Sequence, residues 1–311
     1  MPNPAAAPEP ASGARRIVVF GDVIDDVVVV PSGPIRHDTD TPSSIRQRAG
    51  GSAANAASWL GAQGAAVDFV GRVGAGDVAR HSDILAGFGV TPHLIGDTEH
   101  PTGAIIVIVE GNSRSMLTER GANDLLSADD VSDELLDHAS VVHFTGYTIY
   151  HGDGAGDDHA AVRRLFDRAA ARGVPVSVDP ASAGSLEDFG AEAFLAVIAG
   201  AGLLFPNLDE GRALTGLDDP MEIAAALGQR FPLVALTLGA DGVIVVETGH
   251  DPVRIPVVES RIVDPTGAGD SFVAGFLASW TENGDAVTAA KAGAAVAAGA
   301  VTQVGGRPSQ A

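Results

Sequence analysis

The chain contains no cysteine. Disulfides and thiolate metal sites are thereby excluded, and a reducing, cytoplasmic compartment is the expectation. Basic residues are also scarce: 19 Lys and Arg stand against 40 Asp and Glu, a formal net charge of −21. Such acidity argues against nucleic acid and anionic membranes as partners, and phosphate substrates must then arrive with Mg²⁺. No stretch approaches 18 uninterrupted apolar residues, so no membrane span is expected. The opening Met1–Gly13 lacks the basic end and the apolar block of a signal peptide, and its Pro/Ala content reads as a disordered tail over residues 1–14. A Gly-x-x-x-x-Gly-Lys-Ser/Thr loop is missing too, so ATP binding cannot rest on a P-loop.

What the chain does have is 311 residues that are 45% hydrophobic, enough for a large core. Short β-branched strands such as Arg16–Phe20, Val141–Phe144, Val174–Val178 and Leu233–Leu238 alternate with helix-compatible runs at 52–63, 77–89, 157–172, 191–200, 208–215, 220–229, 271–281 and 285–303. That order, with nearly all-apolar strands, predicts a mostly parallel sheet covered on both faces. Segments 27–48 and 102–119 interrupt it with antiparallel-like patterning. Val27–Val30 reads as a strand, 35–48 as polar and irregular, and Gly111-Asn112 as a hairpin turn.

Two segments carry chemistry. Val263-Asp264-Pro265-Thr266-Gly267-Ala268-Gly269-Asp270-Ser271-Phe272 leads an apolar strand into a small-residue loop and then a helix. Glycines allow close backbone approach, and the first N–H groups of a helix point outward, so the loop suits an anion. A carboxylate at such a place, Asp270, is electrostatically awkward unless it takes a proton from a nucleophile attacking that anion. The combination reads as phosphoryl transfer to a hydroxyl, with Asp270 as base. At the other end of the chain, Gly50-Gly51-Ser52-Ala53-Ala54-Asn55 packs small residues around one amide, a surface fit for a sugar.

Together these segments resemble the paired signatures of the PfkB/ribokinase family of carbohydrate and nucleoside kinases. The first is Gly50-Gly51, Asn55 and then Gly61, Gly71 and Gly74; the second, about 210 residues on, is Asp264 to Asp270. The resemblance implies a three-layer αβα sandwich with a small β-lid from segments 27–48 and 102–119, within one kinase domain over 15–311. It implies an ATP- and Mg²⁺-dependent enzyme phosphorylating a primary hydroxyl of a sugar, or alternatively a nucleoside, and a homodimer formed through the lid. A catalytically silent sugar-binding protein on the same fold is a third reading, which the intact Asp270 opposes.

By the same resemblance, Asp26 matches the acid that binds paired sugar hydroxyls, leaving Asp25 a bystander, and Gly50, Gly51 and Asn55 complete the sugar site. Gly267, Ala268 and Gly269 hold the transferred phosphoryl. Asn207 and Glu210 match an Asn-x-x-Glu element, the Glu organising Mg²⁺ and the Asn near the nucleotide; their spacing equally fits a helix cap. Thr237 and Gly239 belong to a nucleotide-side loop. Asp264 and Thr266, with Gly305 and Ser309 of the 301–309 loop, match a K⁺ site, the rival reading of that loop being a disordered tail. The chain departs from ribokinase at Ile24 and Tyr147, where polar sugar contacts are expected, which puts ribose in doubt. Arg114, on the lid hairpin, is a candidate contact for an anionic substrate. Gly152–Gly156 lacks the context of a dinucleotide fingerprint, and Asp153, Asp157, Asp158 and His159 read as helix capping rather than a metal site.

Overall fold

The computed structural model describes residues 16–110, 113–151 and 159–309. The tail expected at 1–14, the turn at Gly111-Asn112 and the cluster at 152–158 lie outside the described residues, as does the side chain of Arg114. No helix among the described residues is long and apolar enough to cross a membrane.

Thirteen strands are described: β1 (Arg16–Phe20), β2 (Ile24–Pro31), β3 (Ser43–Gly50), β4 (Val67–Gly74), β5 (Val90–Asp97), β6 (Gly103–Glu110), β7 (Ser113–Glu119), β8 (Ala139–Thr145), β9 (Val176–Asp179), β10 (Leu203–Leu204), β11 (Leu233–Thr237), β12 (Val243–Glu247) and β13 (Val253–Ile255). The helices are α1 (Ser52–Ala62), α2 (Val78–Ala86), α3 (Asp133–Asp137), α4 (Tyr147–His151), α5 (Ala160–Ala170), α6 (Ala183–Phe189), α7 (Ala191–Val197), α8 (Leu208–Thr215), α9 (Pro220–Gly228), α10 (Ala268–Asn283) and α11 (Ala286–Ala300).

Nine strands form one sheet in the order β13-β12-β11-β10-β9-β8-β1-β4-β5. The pairs from β11 across to β5 are all parallel, and only the β11–β12 and β12–β13 pairs are antiparallel. Strand alternation sends Val18 and Phe20 into a core with Leu165, Leu186, Phe194, Leu214 and Ile223 from α5 to α9. Ile17 and Val19 face the other way, into a core with Leu60 of α1, Phe272 and Phe276 of α10, and Ala289 of α11. Two apolar faces on one sheet require two helical layers, which is why the strands read as almost continuously hydrophobic. In the second layer α10 and α11 approach so closely that a Cβ at Gly293 would lie 2.6 Å from Phe272 O.

A second sheet has the order β3-β2-β6-β7. Its two hairpins are antiparallel, but the central pair β2–β6 is parallel, so the sheet is mixed rather than wholly antiparallel as its segments suggest. The supposedly irregular 35–48 ends in a full strand, β3. Its residues Ser-Ser-Ile-Arg-Gln-Arg-Ala-Gly are polar because most of the strand is exposed, and edge exposure removes the apolar periodicity that marks buried strands. The helix expected over 77–89 is shorter, α2 preceded by a 3₁₀ turn at Ala75–Asp77, and its tail gives way to β5.

Candidate active site

The carboxyl ends of the parallel strands converge on one edge of the large sheet, where Asp22 follows β1, Tyr147 follows β8, Asp179 ends β9 and Asn207 follows β10. Ligands in such sheets gather there. Helix α1 starts at this edge from Gly51, whose φ of 94° puts it in the region open to glycine, and no side chain of its own segment caps it. The cap comes from 30 residues away. Buried Asp22 accepts from the N–H of Ser52 at 2.9 Å (Oδ2) and of Ala53 at 3.1 Å (Oδ1), joining its carboxylate to the positive end of the helix.

With α1 fixed, its first turn faces the start of α10. Ser52 Oγ donates to Asp270 Oδ1 at 2.6 Å, and Asn55 Nδ2 donates to Asp270 Oδ2 at 2.9 Å. Both oxygens of Asp270 are thus held from helix α1. Gly267, with φ 77°, is the N-cap of α10, and a Cβ there would lie 2.6 Å from Gly306 Cα. The Ala268 N–H already donates to Pro265 O at 3.2 Å, while the N–H groups of Gly269 and Asp270 meet no acceptor among the described residues. Burial raises the Asp270 carboxyl to about 6, against the lowering effect of the Ser52 and Asn55 hydrogen bonds.

The 301–309 loop closes the site from behind, so the tail reading of this segment does not hold. Trp59 Nε1 donates to Gly306 O at 2.8 Å, and buried Arg307 donates from Nη2 to Gly50 O at 2.7 Å and from Nε to Asn55 Oδ1 at 3.4 Å. Arg307 Nη1 is buried with no partner. Desolvation lowers this guanidinium to about 10, opposed by Asp26, Asp22, Asp25 and Asp270. Asp264 Oδ1 accepts from the N–H and hydroxyl of Thr266 at 3.0 and 2.7 Å, and its Oδ2 accepts from the Gly305 N–H at 3.1 Å. Ser309 is turned to the side chain of Gln303.

Three cavities line up along this edge. The first, about 620 Å³, lies between the two sheets and includes Asp22, Ile24, Asp26, Asn55, Tyr147 and Asp270 in its walls. Asp26 stands over Gly50, where a Cβ would come within 2.3 Å of Asp26 Oδ2, and burial raises this carboxyl to about 6. Asp25 points away and pairs with Arg80 through both oxygens, at 2.8 and 2.6 Å. A second cavity of about 200 Å³ shares Ser52, Gly267 and Asp270 with the first and adds Asp179, Asn207, Glu210 and Thr237. Asn207 and Glu210 form a reciprocal cap on α8, with Asn207 Nδ2 to Glu210 Oε1 at 2.7 Å. Glu210 is raised to about 7, chiefly by burial, and Asp179 is raised by burial and by the charges of Glu210 and Asp270. A third cleft of about 540 Å³, walled by Thr237, Gly239, Val257, Ile262, Phe272 and Ala297, continues past Ala268 and Gly269.

Asp179 and Glu210, both raised by burial, share the second cavity with the N–H groups that head α10, so an acidic wall there faces an anion-accepting one. Comparison with known proteins identifies the family. Residues 14–311 match the model of the pfkB family carbohydrate kinase. This chain belongs to the PfkB family. Its members here include the 2-dehydro-3-deoxygluconokinase of Thermoproteus tenax, 29% identical over 89% of the chain and 85% of the relative. The ATP-dependent ribose-1-phosphate kinase of Halopiger xanaduensis is 31% identical over 87% and 86%. The chain also matches the bifunctional protein HldE of Shewanella baltica at 31% over 89% of its own length, but spans only 58% of that relative. Among solved structures, a probable sugar kinase from Rhizobium etli superposes with a TM-score of 0.83 at 22% identity, covering 95% of this chain and 96% of that one. Adenosine kinase from Sinorhizobium meliloti gives 0.82 at 24%, covering 94% and 96%. The fold is therefore ribokinase-like, and this PfkB chain is a carbohydrate or nucleoside kinase, a phosphotransferase with an alcohol acceptor, of a family that uses ATP with Mg²⁺.

Sequence reasoning missed three residues of this PfkB site. Asp22 and Asp179 belong to neither signature, and Arg307 lies within the 301–309 loop with no role of its own assigned. Asp22 and Arg307 act on partners 30 and 252 residues distant, and only an acid directly after an apolar strand hinted at Asp22 and Asp179.

Proposed function

We propose that this kinase transfers the γ-phosphoryl group of ATP to a primary hydroxyl of a sugar, with Asp270 as the base. The observation that carries the reading is the position of Asp270, shared by the walls of the first two cavities and held by Ser52 and Asn55. The sugar occupies the first cavity, with Asp26 accepting from paired hydroxyls, Gly50 and Gly51 allowing approach, and Tyr147 facing the ring. Asn55 acts through Asp270 and Arg307, since both ends of its amide are engaged there. The nucleotide lies along the third cleft by Thr237 and Gly239, with Asn207 near its phosphates. The substrate oxygen attacks the γ-phosphorus, its proton passes to Asp270, and the bond from that phosphorus to the departing ADP oxygen breaks. The N–H groups of Gly269 and Asp270 and the turn of Gly267 and Ala268 stabilise charge on the transferred group. Asp179 and Glu210 would hold Mg²⁺, which would supply positive charge against the phosphates. Asp264, Thr266 and the Gly305 loop are proposed to enclose K⁺, with Ser309 at its margin.

Ile24 and Tyr147 in the cavity wall make ribose a poor fit and a larger or flatter sugar a better one. A nucleoside is the second reading, supported by the aromatic face of Tyr147. The four-stranded sheet acts as a lid, and its outward face, with Ile45, Ile106 and Leu117 exposed, is proposed to meet a second copy of the chain. A cysteine-free, ATP-using enzyme suits the cytoplasm. The test is ATP consumption over pentoses, hexoses, keto-deoxy acids and nucleosides, with the product's phosphorylated position fixed by NMR. Phosphorylation of a sugar at a primary hydroxyl is expected. A nucleoside as best substrate selects the second reading, and no turnover with any acceptor overturns both.

A further inference from the structure

The first cavity has a charge pattern that hydroxyl recognition does not require. On the face of the four-stranded sheet that lines it, β2 contributes Ile24, Asp26, Val28 and Val30, and β6 contributes Ile105, Val107 and Val109. Edge strand β3 breaks this apolar surface: Ser44, Arg46 and Arg48 face inward, while Ile45 on the other face is 63% exposed. An ordinary sheet over a cavity wall would turn the isoleucine in and the arginines out. The inversion costs stability unless the inward arginines meet something.

Neither is held in an ion pair among the described residues, although the charge of Arg48 lowers the Asp26 carboxyl. Elsewhere in this acid-rich chain, arginines sit on acids, as Arg72 does on Asp97, Arg80 on Asp25 and Arg172 on Asp137. Arg46 and Arg48 form no ion pair among the described residues, although Asp26 lies directly across from Arg48 in the strand register. Arg48 uses Nη1 on Val304 O, which orients the guanidinium and leaves its other N–H groups for a ligand. Arg120, also in the wall, is already committed to Asp124 at 2.9 Å and to Tyr147 O at 3.3 Å. The cavity is therefore polarised, with Asp22, Asp26 and Asp270 at the floor and two available guanidinium groups on the edge strand.

We propose that the acceptor is an anionic sugar, bearing a carboxylate or a phosphate monoester remote from the reacting hydroxyl, and that Arg46 and Arg48 bind this anion. The inference rests on the kinase reading of the cavity. In a chain of net charge −21, a negatively charged substrate needs such a local cationic patch to enter at all. Guanidinium groups match the planar fork of a carboxylate and the oxygens of a phosphate, and binding the anion at the sheet edge directs the opposite end of the sugar toward Asp270.

The experiment compares a neutral sugar with its carboxylate and its phosphate monoester, at fixed ATP, Mg²⁺ and ionic strength, for the full chain and for Arg46→Gln, Arg46→Lys and Arg48→Gln. One anionic form is expected to exceed the neutral sugar in kcat/KM by at least about tenfold, and the better of the two identifies the group. Either Gln variant should reduce the anionic-to-neutral ratio by about tenfold, mainly through KM, with Arg46→Lys intermediate. A neutral sugar equal to or better than both anions, or an unchanged ratio in both Gln variants, overturns the inference. Titration calorimetry on the same panel separates it from the kinase reading. If no acceptor turns over but an anionic sugar binds and Arg46→Gln weakens it, the anion site stands and phosphoryl transfer falls. Absence of any anionic preference in binding removes the anion site itself.

Discussion

Ser52 Oγ lies 2.6 Å from Asp270 Oδ1, joining the first turn of α1 to the first turn of α10 across 218 residues of sequence. The contact makes the two glycine-rich segments one device: helix α1, capped in trans by Asp22, aims a hydroxyl and an amide at the acid that heads α10. Burial raises Asp270, and those two donors hold it down toward the ionised form in which it accepts a proton.

Removing the carboxylate separates chemistry from folding. Asp270→Asn is expected to lower kcat by at least about 100-fold, the usual scale for losing a general base. Because the folded pKa is raised, the native state binds its proton more tightly than the unfolded chain between the ordinary carboxylate value of 3.8 and about 6. Stability from this group is thus present at low pH and lost as pH rises through about 6. Asp270→Asn should therefore gain Tm relative to wild type between pH 5 and pH 8, in thermal melts at both values. Near-wild-type turnover of the folded variant would remove the base assignment.

The pH profile follows from the same group. kcat/KM should rise with pH through about 6, where Asp270 and Asp26 both ionise. Ser52→Ala removes a hydrogen bond that lowers Asp270, so its acidic limb should move to higher pH while sugar KM changes little. An unmoved limb would show that Ser52 is only a helix residue.

Much of this was legible because it is local. The strand-to-helix alternation, the Gly50–Asn55 turn and the Asp264–Asp270 loop announce themselves through periodicity and glycine placement within a dozen residues. β5, with Val-Thr-Pro-His-Leu-Ile-Gly-Asp, was not legible, since a half-exposed edge strand containing proline has neither alternation nor an apolar run. The short helix α4 at Tyr147 and the trans cap from Asp22 depend on tertiary contacts that no window of sequence contains. Arg307 is the extreme case. It lies in a segment that reads as a K⁺ loop or a tail, yet its guanidinium is buried among Gly50, Asn55 and the acids of the site.

That burial gives Arg307 a measurable role. Its charge lowers both Asp26 and Asp270. Arg307→Met should therefore raise the acidic limb of kcat/KM and weaken sugar binding. A Tm change with an unmoved pH profile would reduce Arg307 to a packing residue, and Arg307→Lys, which retains charge but not the fork, should restore the limb better than the affinity.

Gly50 leaves no room for a side chain beside Asp26, the acid proposed to bind the sugar hydroxyls. A Cβ there would lie 2.3 Å from Asp26 Oδ2, so Gly50→Ala must push the carboxylate from its place. Losing a charged acceptor for hydroxyls is worth roughly 1.5–3 kcal/mol of binding, or about 10- to 150-fold in sugar KM. ATP affinity should be unchanged. If KM for ATP rises and that for the sugar does not, the sugar has been assigned to the wrong cavity.

The monovalent cation is the last test, and it turns on the loop around Asp264. This buried carboxylate already gathers the Thr266 N–H and hydroxyl and the Gly305 N–H, while Val301 O accepts from the N–H groups of Val263 and Asp264. A cage of one carboxylate and neighbouring carbonyls suits K⁺, a large and weakly hydrated ion. Filling it would tighten the 301–309 loop against Gly267, and through Gly267 the first turn of α10. Activity should then rise with K⁺ at constant ionic strength, poorly with Na⁺ and not at all with choline. Asp264→Asn should abolish the K⁺ response, with a smaller effect on the activity measured in choline. Equal rates in the three salts would leave the loop a purely structural task, securing Trp59 through Gly306 O and Gly50 through Arg307.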